Sequence, residues 1–219
     1  MKKMTMLTLA ACVLLIAGTA AAQNTLYVDP VAAMNGTNYG MVTELDGSSN
    51  AIYVEDDTPL DETTYRAIFW FDPNSFTMAQ GASRMAIFFV RDFDPTGGMP
   101  AGGMIRIELV KKNDKFRVLA KIKKNNGLWV KTNTPGTGWL VLGDEPRQIM
   151  LEYVAGPGDG LIRLTRMDGG GMVENTSINN SFWNVDNIRL GAPRLMTGVA
   201  SFDGTMYFDE FESFRTLAP

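Results

Sequence analysis

The chain has 219 residues, with 20 basic and 24 acidic side chains, one cysteine and no histidine. The missing histidine excludes Ser-His-Asp and Cys-His catalysis, histidine zinc ligation and a histidine pH switch. A net charge of −4 argues against a nucleic-acid partner, and the length suits one domain with its own core, by the usual ~100–200 residues per domain.

Residues 1–22 read as an export signal. Lys2 and Lys3 form a basic start, 7–18 is an apolar run interrupted only by Thr8, and Ala20, Ala21 and Ala22 before Gln23 form a small-residue cleavage site. The run falls short of the ~20 residues that span a bilayer, so no stable span is expected once the signal is cut. Leu9-Ala10-Ala11-Cys12 has lipobox character, but lipidation there would leave the greasy stretch 13–16 at the mature end, and it is set aside. Cleavage after Ala22 removes Cys12 and leaves a cysteine-free chain, which suits an oxidising compartment. Mature residues 23–219 then carry 18 basic and 24 acidic side chains. The expected location is periplasmic or extracellular, in a bacterium.

Beyond residue 23 no amphipathic helix stands out. Short β-rich runs alternate with Gly, Asn, Asp and Pro, the pattern of a sandwich or barrel. Strands are expected at 25–29, 39–45, 51–55, 64–71, 84–91, 104–111, 116–123, 128–131, 139–142, 149–154, 161–167, 173–177, 187–191 and 206–214. A helical turn is expected at 74–82, after Asp72-Pro73. The runs 67–71 and 85–90 are nearly all apolar and read as central strands, buried on both faces or on one face beneath loops. Segments 156–160 and 175–183 read as loops, and 187–191 with 206–214 as a closing hairpin.

Register can be worked out for 104–131. Ile105, Ile107 and Leu109 share one face, and Phe116, Val118, Ala120 and Ile122 alternate on the next strand. A two-residue turn at Asn113-Asp114 sets Leu109 opposite Val118 and Ile107 opposite Ala120, keeping apolar against apolar. A three-residue loop, Asn125-Asn126-Gly127, with Gly127 in the left-handed region, sets Lys123 opposite Trp129 and Lys121 opposite Lys131. The other face then shows Arg106, Glu108, Arg117, Leu119, Lys121, Lys123, Trp129 and Lys131. Nine basic and two acidic residues lie between 106 and 131. Charge this segregated, beside a tryptophan that can stack on a sugar ring, makes Arg106, Arg117, Lys121, Lys123, Trp129 and Lys131 the candidate ligand-binding residues. The plainer reading is a solvated face whose lysines prevent edge pairing.

The end of the chain carries Val185, Asp186, Ile188, Arg189, Leu190, Gly191 and Ala192, then Gly204, Thr205 and the run Tyr207 to Ser213. It resembles the C-terminus of concanavalin A-like, laminin-G-like jelly-roll domains of bacterial secreted proteins, in which a VDxIRLGA strand precedes GTLYFDEFES. Ala32 to Gly36 with Tyr39-Gly40, Asp56 to Pro59, and Glu62 with Tyr65 to Ala67 and Phe71 to Asn74 resemble the N-terminal half of the same group. The resemblance implies an all-β, two-sheet antiparallel jelly-roll sandwich, with the last strand returning beside the N-terminal ones.

Chemistry on that framework is sparse. A retaining glycosidase needs two carboxyls about 5–5.5 Å apart, and the E-x-D-x-x-E spacing that places them is absent. Glu210 and Glu212 share one face of the last strand and Asp209 takes the other, more in keeping with a charged edge than a site. Asp92-x-Asp94-x-Thr96-Gly97 begins like a calcium loop but has Gly103 where a bidentate Glu belongs. Asp209 is a weak candidate for a structural calcium near Asp29; pairing with Arg66 or Arg189 is the preferred reading, since a buried charge needs a partner. No other cofactor is expected. Trp70, Trp139 and Trp183 read as packing residues, with Trp183, in a polar loop, the best exception. The expected function is a secreted, non-catalytic binding module for a glycan or cell-surface polymer, with an anionic polysaccharide as partner. The alternatives are a protein-interaction or structural surface protein and, more remotely, a polysaccharide hydrolase or lyase.

Overall fold

Runs of two to twelve residues, most of them alternating apolar and polar, form fourteen strands among the described residues, and turn-forming residues divide them. The computed structural model describes residues 23–132 and 138–218, so the expected export segment lies outside the described residues. The first sheet runs β1 (Thr25–Asp29), β2 (Gly40–Asp46), β14 (Asp203–Phe214), β4 (Thr64–Asp72), β10 (Arg147–Val154), β11 (Pro157–Arg166) and β12 (Gly171–Asn179). The second runs β3 (Ile52–Asp56), β13 (Asn187–Thr197), β5 (Arg84–Asp92), β6 (Gly102–Lys112), β7 (Lys115–Lys123) and β8 (Trp129–Lys131), with β9 (Leu140–Val141) pairing further along β7. The pairings are antiparallel, and the two sheets form an all-β sandwich of the jelly-roll kind. The last strand does return beside the N-terminal ones, lying between β2 and β4.

The core sits between the sheets. On β4, Tyr65, Ala67, Phe69 and Phe71 point inward and are fully buried, while Arg66, Ile68, Trp70 and Asp72 are half-buried on the outside. Phe69 stacks on Phe88 of β5 across the interlayer, ring centroids 5.7 Å apart, and Phe71 packs against Phe208 at 5.2 Å. Each such ring withdraws apolar surface worth roughly 1.5–3 kcal/mol from water. Only β5 of the two apolar runs is buried on both faces, because Phe89 lies beneath neighbours on the outside as well.

The 104–131 register is the expected one. Leu109 faces Val118 and Ile107 faces Ala120; Lys123 faces Trp129 and Lys121 faces Lys131. Asn113 and Asp114 both take positive φ, 52° and 54°, as a type I′ turn requires, and Gly127 takes +76°.

Four expectations need correction. Residues 74–82 form no helix: Phe76 is held in the core between Phe116 and Phe202, and Thr77 bridges to Asp203. Much of 175–183 is strand, since β12 reaches Asn179; as the edge of the first sheet it is solvated and does not need apolar alternation. The loop 156–160 is largely absorbed into an irregular start of β11. The closing pair is not a hairpin. β13 lies in the second sheet and β14 in the first, joined across the sandwich by a 3-10 turn at Val199–Ser201. β13 also runs past Pro193, whose missing N–H is absorbed by a register shift between Leu190 and Arg194. Gly198 opens the crossing at φ +73°, where a Cβ would stand 2.0 Å from Ser83 Oγ.

Candidate functional site

Outward side chains of β6, β7 and β8 are fixed by the register. Arg106, Lys121 and Lys131 stand in one cross-strand row, with Lys123 and Trp129 in the next. Like charges directly opposite one another destabilise a sheet, so this row is tolerated at a cost. Part of that cost is offset by Glu108. Its Oε1 lies 2.7 Å from Arg106 Nε and 3.0 Å from Lys121 Nζ, and its Oε2 accepts a hydrogen bond from Arg84 Nη1 at 3.3 Å. The Arg106 contact is poorly aligned for hydrogen bonding and acts through charge. Glu108 is 0% exposed although it belongs to the outward face, because these three cations close over it. The solvated-face reading of that position is therefore wrong: Glu108 and Leu119 are both buried.

Three cations on one carboxylate leave an excess of positive charge, and aromatic rings hold it in place. The Arg106 guanidinium lies 4.3 Å from the Trp129 ring centroid, Lys123 Nζ lies 5.7 Å from the same ring, and Arg84 lies 5.7 Å from Trp139. Burial lowers the Arg106 pKa from its ordinary value; Glu108 opposes the shift, and Arg194 and Arg84 add to it. Burial, then Arg194, also lowers that of Lys123. Partly desolvated cations give up less hydration to a ligand than fully hydrated ones do, which favours an anion arriving at this face.

Beside the row, Lys121, Trp129, Val130, Lys131 and Asn175 line a cleft of about 440 Å³. It opens where the β8 edge of the second sheet meets β12 of the first, and Asn175 Nδ2 ties the two by donating to Lys131 O at 2.9 Å. A cleft of about 320 Å³ at the other edge, near β1 and β3, is lined by Leu26, Val28, Tyr39, Met41, Val54 and Phe211 among others. It has acidic Asp209 and Glu210 on its wall and no cation.

Of the six expected binding residues, Arg106, Lys121, Lys123, Trp129 and Lys131 come together. Arg117 does not. It faces Val110 and Val141, four residues along β7 from Lys121, about 13 Å at the strand rise. Arg84 and Arg194 complete the cluster but lie outside the basic stretch. Their only sequence signal is that Arg84 precedes the apolar run of β5.

Other expected features fall elsewhere. Asp209 accepts hydrogen bonds from Met34 N at 2.6 Å and from Thr37 Oγ1, pinning the loop after β1. It pairs with neither expected arginine: Arg189 joins Glu55 at 3.1 Å, and Arg66 lies over Phe214. Glu210 and Glu212 do not share a regular strand face, because the register shifts between Asp209 and Glu212 and Glu210 takes φ +47°. Asp92 turns inward, accepting from Asp94 N and Asn184 N, and burial pushes its carboxyl up to about 6. Trp183 is fully buried, donating to Lys124 O at 3.0 Å, and is a packing residue after all.

No protein-family model and no curated protein matches the chain. Among solved structures it is similar to the cellulose-induced protein Cip1, with 10% identity, 89% of this chain and 87% of that one covered, and a TM-score of 0.56. An alginate lyase from Pseudomonas aeruginosa aligns with 12% identity over 86% and 81% of the two chains, TM-score 0.45. The binding domain of botulinum neurotoxin serotype C1 aligns with 7% identity over 90% and 41%, TM-score 0.48. At such identities the likeness to Cip1 speaks for a shared sandwich fold alone, and the other two scores carry no argument.

Proposed function

We propose that this chain is an exported, non-catalytic binding module of the laminin-G-like kind that takes an acidic glycan on the outer face of β6, β7 and β8. One observation carries the reading: a like-signed row, Arg106–Lys121–Lys131, is kept beside an aromatic ring and retains a cationic excess after Glu108 is counted. Trp129 supplies the stacking surface for a sugar ring, and Lys131 and Lys123 meet its carboxylates or sulfates. Lys121 is divided between ligand and Glu108.

A glycan array with the purified protein tests this. Binding to uronate-rich or sulfated glycans is expected, with affinity lowered about tenfold in Trp129→Ala, on the scale of a lost stacking contact of ~1.4 kcal/mol. Lys121 is left intact, because Lys121→Glu would press a second carboxylate onto buried Glu108. Binding unchanged in Trp129→Ala combined with Lys131→Glu would overturn the site. Depolymerisation of the bound glycan would overturn the non-catalytic reading.

A further inference from the structure

We infer that a second site, at the end of the second sheet where β3, β5 and β13 meet, binds a hard divalent cation, Ca²⁺, through Asp61, Asp94 and Asp186. Asp61 lies in the loop after β3, Asp94 follows β5 and Asp186 precedes β13, so three separate segments deliver the three carboxylates. One oxygen from each lies within 4.8 Å of the others. Oxygens across a single Ca²⁺ are about 5 Å apart at its usual ligand distances, so the spacing fits one ion.

The site is held in shape by its central member. Asp186 is 6% exposed; its Oδ1 accepts from Asp61 N at 2.9 Å and its Oδ2 from Phe93 N at 2.6 Å, fixing both neighbouring loops around it. Among the described residues, no Lys or Arg forms an ion pair with any of the three carboxylates.

Carboxylates alone would not make a site, but two amides bonded to acids of the cleft carry buried oxygens without partners. Asn187 is 1% exposed and its Oδ1 has no partner, while its Nδ2 is held 2.5 Å from Asp57 Oδ1. Asp57 lines the same cleft of about 360 Å³ as Asp61, Asp94 and Asp186. Asn184 repeats the pattern: Nδ2 donates to Asp61 Oδ1 at 3.0 Å, and its buried Oδ1 is unpartnered. Buried polar oxygens without partners are rare in folded proteins and mark where an ion or water belongs. Carboxylate and amide oxygens in an irregular, loop-built set suit Ca²⁺, which accepts six to eight oxygens in flexible geometry, rather than Mg²⁺, which demands an octahedron. The sequence pair Asp92-x-Asp94 does not act as a linear calcium loop. Asp92 faces inward as a scaffold and only Asp94 faces the cleft.

Titration calorimetry and thermal unfolding in CaCl2 against EDTA test the inference. One ion per chain is expected, with Kd roughly 0.1–1 mM as in extracellular modules, together with a rise in Tm. Asp94→Asn and Asp61→Asn, both exposed, should weaken binding by about tenfold or more while leaving the Tm in EDTA unchanged. Asp209→Asn should bind as the parent does. The inference fails if no binding occurs well above that range, if both cluster variants bind normally, or if Asp209→Asn abolishes binding in their place. The glycan face lies elsewhere on the second sheet, so either proposal can fail alone.

Discussion

Each sheet buries one glutamate on its outer face, and the two are treated differently. On the first sheet Glu152 stands in a cross-strand row, Arg66–Glu152–Arg163–Glu174, in which the signs alternate. Arg163 reaches Glu152 at 3.2 Å and Glu174 at 2.9 Å, and Ala218 N caps the remaining oxygen at 3.0 Å. On the second sheet the corresponding row is Arg106–Lys121–Lys131, all one sign, and Glu108 sits off the row beneath three cations. An alternating row is what stability alone would select. A like-signed row is kept against stability, which is why function is assigned to the second sheet and structure to the first.

The contrast can be broken by three measurements. The largest effect is expected from Glu108→Gln, which leaves Arg106 and Lys121 partly buried without a counter-ion and should cost about 3–5 kcal/mol in urea unfolding. Glu152→Gln should cost about 1–3 kcal/mol, because Arg163 keeps Glu174. Equal losses would mean that the two glutamates are the same kind of device. Next comes Lys131→Glu, which replaces the like-signed pair Lys121–Lys131 with an opposite-signed one. It should raise stability by roughly 0.2–1 kcal/mol and weaken acidic-glycan binding, a gain in one property at the expense of the other. A destabilised Lys131→Glu variant would argue that the row carries no repulsion. The smallest effect is that of salt. Raising NaCl from low ionic strength to 0.15 M, where the screening length is about 8 Å, should slightly raise Tm by relieving the row and should lower glycan affinity. Affinity indifferent to salt would detach binding from the cations.

Much of the architecture was legible because its causes are local. The turn Asn113-Asp114 and the loop around Gly127 contain the residues that tolerate positive φ, and parity then fixes every outward side chain from Arg106 to Lys131. Where the reading failed, the cause was non-local. Gly191-Ala192-Pro193 looked like a strand end, yet a bulge carries β13 onward. The closing segment looked like a hairpin because pairing partners, β3 and β5 for β13, β2 and β4 for β14, are distant in sequence. Trp183, by contrast, fills the core as the packing reading has it, despite its polar stretch, and Lys124 O, distant in sequence, accepts its indole N–H.

The sequence by itself determined the all-β class, the strand set, the register of the basic meander and the identity of five residues of the proposed binding face, because alternation and turn chemistry act between neighbours. Only the tertiary structure decided that Glu108 is buried, that Arg84 belongs with it, and that Arg117 stands apart. It also brought Asp61, Asp94 and Asp186 from three loops to one cleft. Charges interact through space rather than along the chain, and burial, which sets how strongly they do so, exists only once the sheets are packed.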